Sequence, residues 1–91
     1  MVSTKHKKIY DKIFKDPITP IDWPKIESML VALGAEVEET KGSGVSFLLN
    51  NVQANFHRPH PGNEAKRYVV KKLRDFLTAA QVRFDSDDGG S

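Results

Sequence analysis

The sequence predicts a small α+β domain with the element order α-α-β-β-β-α, and three observations carry that reading. Apolar residues recur at helical spacing as far as Leu33, alternate with polar ones from Ala35 to Phe56, and return to helical spacing beyond Asn63. Asn50-Asn51 stands within the alternating stretch, and asparagine tolerates the positive φ angles that a two-residue hairpin loop demands. Gly and Pro gather at the junctions, in Asp16-Pro17-Ile18-Thr19-Pro20, Gly42-Ser43-Gly44 and Pro59-His60-Pro61-Gly62.

Each element has its own signals. Ser3 is placed to cap a first helix running to about Lys15, with Ile9, Tyr10, Ile13 and Phe14 on one stripe and Lys5, Lys8, Lys12 and Lys15 opposite. Pro17 and Pro20 end it, because proline removes a backbone donor and clashes with the preceding turn. Asp22 is placed to cap a second helix that carries Trp23, Ile26, Met29, Leu30 and Leu33 at helical spacing, tolerates Pro24 in its first turn and stops at Gly34. Ala35 and Val37 alternate with Glu36 and Glu38 in a short strand that faces its acids outward. Beyond Thr40-Lys41-Gly42-Ser43-Gly44, a hairpin runs from Val45 to Phe56. Asn63 is placed to cap the last helix, with Val69, Leu73, Phe76 and Ala80 as its buried stripe, Tyr68 and Leu77 flanking it, and Lys66, Arg67, Lys71, Lys72 and Arg74 around the rest.

Ninety-one residues make one domain, too small to enclose a large substrate cavity, so an open surface site is favoured. The folded unit is expected to span residues 1–84, with 85–91 a disordered acidic tail. The absence of cysteine excludes disulfides, thiol nucleophiles and Cys-ligated zinc, and it suits a reducing compartment such as the cytoplasm. Lys5, Lys7 and Lys8 are followed by no apolar stretch of signal or membrane-spanning length, so neither export nor insertion is expected. The formal charge is +2, from 14 basic and 12 acidic residues. Setting aside Asp85, Asp87 and Asp88 leaves fourteen basic against nine acidic residues, a body of +5 that suits a polyanion partner.

The segment that carries chemistry is His57-Arg58-Pro59-His60-Pro61, directly after the alternating run. Two imidazoles supply proton transfer near neutral pH and a guanidinium supplies a fork for phosphate. A solvated histidine in a stiff, proline-flanked turn is the plain alternative. A metal-binding role for the His57-x-x-His60 pair is weaker, with no Cys and few carboxylates to complete a site. With Asn50 and Asn51 as the two loop residues, Leu49 faces Val52, Phe47 faces Ala54 and Val45 faces Phe56, all six on one face. The opposite face carries Ser46, Leu48, Gln53, Asn55 and His57, with Gly44 directly across from His57. His57 therefore projects from a polar, open face.

Leu33-Gly34-Ala35, Lys41-Gly42-Ser43, Phe56-His57-Arg58-Pro59-His60-Pro61 and Arg74-Asp75-Phe76-Leu77, in this order, resemble the HicA toxin family of bacterial toxin–antitoxin systems over about Trp23 to Val82. The resemblance implies a fold like that of double-stranded-RNA-binding domains, with three antiparallel strands packed against helices. It also implies an mRNA interferase that arrests translation, and a HicB-like antitoxin that neutralises it. In many members the residue after the Gly-Ser of the turn is the catalytic His; here that position is Gly44. Because Gly44 faces His57, an imidazole from His57 can fill nearly the volume of the missing one, with glycine as the small residue that leaves room, and a His at 44 is expected to leave the fold unharmed.

The expected activity is endoribonuclease cleavage with the 2′-hydroxyl as internal nucleophile, which needs no metal or cofactor. His57 is expected as base, His60 as acid, Arg58 as phosphate clamp, and Lys41, Ser43 and Lys66 as further RNA contacts. The expected partners are mRNA and the antitoxin, through which oligomers form; no membrane is expected. Two rivals remain: an RNA-binding module that does not cut, and a purely structural partner of an antitoxin.

Overall fold

A computed structural model of the chain describes residues 4–59 and 62–82. Three helices pack against a three-stranded antiparallel sheet, in keeping with the double-stranded-RNA-binding-domain-like arrangement that the resemblance implies. The elements are α1 (Thr4–Phe14), β1 (Ile21–Asp22), α2 (Trp23–Ala32), β2 (Glu36–Glu39), β3 (Gly44–Leu49), β4 (Val52–His57), β5 (Glu64–Ala65) and α3 (Arg67–Ala79). The sheet order is β2-β3-β4, and β1 and β5 form a separate two-residue ladder.

The hairpin has the register expected from its loop. Leu49 pairs with Val52, Phe47 with Ala54, Val45 with Phe56 and Gly44 with His57. Asn50 and Asn51 adopt φ of 51° and 67°, the left-handed values of a two-residue loop. The Asn50 amide also donates to the Ala80 carbonyl at 2.8 Å, so the hairpin turn satisfies an open carbonyl at the end of α3. On the core face Val45, Phe47, Leu49 and Phe56 are buried. Trp23, Phe47, Phe56 and Phe76 meet there with ring centroids 5.9–6.2 Å apart, and each such side chain contributes about 1.5–3 kcal/mol by leaving water. The opposite face is open and mostly polar as expected, with Leu48 exposed on it, except that Gly44 and Ser46 are buried and Ser46 accepts from Gln53 Nε2 at 2.8 Å.

The helices carry three corrections. Asp22 does occupy the N-cap of α2, but its side chain makes no capping bond and instead lies 3.7 Å from Lys25 Nζ. The end of α2 is as expected: Gly34 takes φ +101°, and Ala35 N–H and Gly34 N–H close back onto Leu30 and Val31 at 3.0 Å. The third helix starts at Arg67, with Lys66 at its N-cap, rather than at Asn63. Its expected first turn is drawn into β5, where Ala65 pairs with Ile21 and both are buried, and the Asn63 carbonyl accepts from Trp23 N–H at 2.6 Å. Tertiary pairing has overridden a capping signal. The later start turns Val70, Leu73, Phe76 and Leu77 into the core, leaves Val69 at its edge and leaves Tyr68 74% exposed.

α1 forms where its lysine-and-apolar pattern puts it. It buries Ile13 and half-buries Ile9, Tyr10 and Phe14. Arg74 of α3 holds its end: Nε donates to the Ile13 carbonyl, and Nη2 to the Lys15 carbonyl at 2.7 Å and Asp16 Oδ1 at 3.1 Å. The expected Ser3 cap and the acidic tail lie outside the described residues. No helix among the described residues is long and apolar enough to cross a membrane.

Candidate active site

Strand alternation sends His57 to the open face at the end of β4, directly across from Gly44. Its Nδ1 lies 3.4 Å from Ser43 Oγ, a loose contact that orients the ring and leaves Nε2 directed elsewhere. A shallow groove joins His57 and Ser43 to Lys66 and Tyr68 at the start of α3. Four of the expected site residues, His57, Ser43, Lys66 and Arg58, therefore line one groove, with Glu64 beside them. Lys41 is exposed on the preceding turn, outside the lining of that groove. His60 lies outside the described residues.

Arg58 lines this groove but commits its guanidinium elsewhere. An extended chain turns successive side chains to opposite sides, and the Arg58 guanidinium is engaged by α2. Its Nε and Nη2 bond the two Glu27 carboxylate oxygens at 3.1 and 3.0 Å, a bidentate fork, and its Nη1 lies 3.7 Å from Glu39 Oε1. Trp23 Nε1 donates to Glu27 at 2.8 Å, one helical turn away. Beside the Arg58 guanidinium the Glu27 carboxyl is held below the ordinary glutamate range, with the indole bond adding to the effect and partial burial opposing it. The Arg58 backbone N–H in turn donates to the Ser43 carbonyl at 2.9 Å. The guanidinium expected to clamp phosphate thus ties the chain after His57 to α2 and to the Ser43 turn.

Gly44 also has a different reason from the expected one. A Cβ on Gly44 would lie 2.0 Å from Thr40 Oγ1 and 3.1 Å from the Lys41 carbonyl. The room that glycine leaves is occupied by Thr40, not by His57, so the expectation that a His at 44 leaves the fold unharmed is corrected: the Thr40 hydroxyl must move first. Gly44→Ala is expected to cost about 1–3 kcal/mol in a denaturant melt, and most of that cost is expected to vanish in a Thr40→Ala background. An equal cost in both backgrounds would assign the strain elsewhere.

The family model for the HicA toxin of bacterial toxin–antitoxin systems matches residues 23–82, from the start of α2 to just beyond α3. The chain belongs to the HicA toxin family. No curated protein and no solved structure matches it significantly. Family membership makes the chain a toxin of a toxin–antitoxin system, and α1 lies ahead of the family-matched region.

Two residues of this HicA site gave no usable sequence signal. Glu27 is the one acid within α2, and only its i,i+4 distance from Trp23 marks it, a spacing that many surface carboxylates share. Thr40 reads as an ordinary turn residue. The pairing of Arg58 with α2 is a contact between residues 31 positions apart, which no local pattern encodes.

Proposed function

We propose that this HicA-family toxin is an endoribonuclease that cleaves mRNA without a metal, with His57 as the general base. The observation that carries this reading is the position of His57: an exposed imidazole facing Gly44, where many family members carry their catalytic His, in a groove shared with Ser43 and Lys66. His57 takes the proton of the 2′-hydroxyl, whose oxygen attacks the adjacent phosphorus. The 5′-oxygen leaves with a proton from His60, giving a 2′,3′-cyclic phosphate and a free 5′-hydroxyl. Lys66 offsets the charge that builds on the phosphate, and Lys41 is an outer contact. Arg58 serves by positioning, since its fork is taken by Glu27.

A HicB-like antitoxin neutralises the toxin in this reading by covering His57, and larger assemblies form through it. The cytoplasm, where mRNA is translated, is the compartment this requires. The missing imidazole at 44 favours a second reading, an RNA-binding module of the same fold that does not cut.

One incubation tests both. Purified protein with RNA in excess EDTA is expected to cleave undiminished and to leave 2′,3′-cyclic ends. Cleavage that disappears on chelation and returns with a divalent ion would overturn the mechanism. A gel shift without any cleavage would establish the second reading.

A further inference from the structure

We infer that the groove between α1 and α2 is a second polyanion site, which holds the backbone of an RNA strand whose scissile phosphate lies at His57. The inference rests on the RNA-cleaving reading above and extends it to a surface that α1, ahead of the family-matched residues, shares with the start of α2.

Lys5, Lys8 and Lys12 of α1 and Lys25 of α2 line this groove, with His6 Nε2 3.2 Å from Ser28 Oγ across it. None of the described residues lining it is acidic. The nearest acids on these helices pair at its margins: Asp22 lies 3.7 Å from Lys25, and Asp11 3.2 Å from Lys7. Lys5, Lys8, Lys12 and Lys25 are all exposed. Lys25 is partly offset by Asp22, but Lys5, Lys8 and Lys12 gather on the α1 wall, and like charges so gathered make a potential that concentrates anions.

The lysine groove is also linked to the His57 groove through a depression that shares lining residues with each. Arg58 and Pro59 line both the His57 groove and a depression over the start of α2, and Pro24 and Ser28 line both that depression and the lysine groove. These shared walls lead from His57, over Pro59 and Pro24 and past the Arg58-paired carboxylate of Glu27, to the lysines of α1. A flexible chain with a phosphate at every unit fits such a track, whereas a single small anion would use only part of it. An anionic membrane fits less well: interfacial helices need a free apolar face, and that face of α1 is turned toward the core, with Ile13 buried and Ile9, Tyr10 and Phe14 half-buried against it.

The test compares the full chain with its Lys5→Gln, Lys8→Gln, Lys12→Gln triple variant. A fluorescent single-stranded RNA of about 20 nucleotides and one of about four are the probes, at several salt concentrations. Affinity for the long RNA is expected to fall about ten- to a hundredfold at low salt, and the slope of log K against log salt to shrink by about 2, three phosphate contacts at roughly 0.7 each. Cleavage of the short RNA, which does not reach the lysines, is expected to stay the same. An unchanged slope with the long RNA, while the unaltered chain binds and cuts it, would overturn the inference and leave the RNA-cleaving reading standing. Failure of the unaltered chain to bind either RNA would overturn both. Loss of binding to phosphatidylglycerol vesicles by the triple variant, with RNA affinity untouched, would reassign the groove to a membrane.

Discussion

His57→Ala is expected to abolish RNA cleavage and growth arrest while moving stability by no more than about 0.5 kcal/mol, since an exposed side chain with one loose contact contributes little to the fold. The argument is geometric. His57 faces Gly44 on the open side of the sheet, where the groove with Lys66 can receive a phosphate, and removing the imidazole that faces Gly44 removes the group that takes the proton. His60→Ala is expected to cost less, roughly ten- to a hundredfold, as an acid whose task water partly replaces. The pair of variants discriminates by rank. A toxic His57→Ala chain beside a dead His60→Ala chain would exchange the two roles, and toxicity in both would end a histidine mechanism for this chain.

How far the sequence reached depended on whether a feature was local. The hairpin was legible because a two-residue loop and a period of two fix every cross-strand pair together, and a slip by one residue would bury Asn55 and expose Phe47. The Schellman end of α2 was legible from Gly34 for the same reason: one backbone conformation and two bonds within a turn. The start of α3 was not, because Asn63 carries a sound capping signal that loses to a ladder with Ile21, more than forty residues earlier. Nor was the side chain of Arg58. His57 and Arg58 are neighbours in sequence and read as one kit, and both line the groove, yet the Arg58 guanidinium is committed to Glu27. Thr40 against Gly44 is a close approach through space within a turn, which residue types alone do not reveal.

The Arg58–Glu27 pair yields the second large effect, and it separates a positioning role from a phosphate clamp. Arg58→Ala is expected to cost about 2–3 kcal/mol in a denaturant melt, because it strips a half-buried carboxylate of a bidentate, charge-assisted partner and leaves it only the Trp23 indole. Cleavage should fall as well, since the chain after His57 loses its tie to α2. Glu27→Gln keeps a bond from the indole and removes the charge, so it should cost less and should also change the response to acid. The Glu27 carboxyl is held below its unfolded value, chiefly by Arg58; its stabilisation is therefore full above the ordinary glutamate range and is lost as pH falls through the lower folded value. Melts from about pH 7 to about pH 3 should show a shallower acid loss for Glu27→Gln than for the unaltered chain. If Arg58→Ala instead leaves stability untouched and destroys RNA affinity, the guanidinium leaves Glu27 to serve the phosphate, and the clamp read from the sequence is restored.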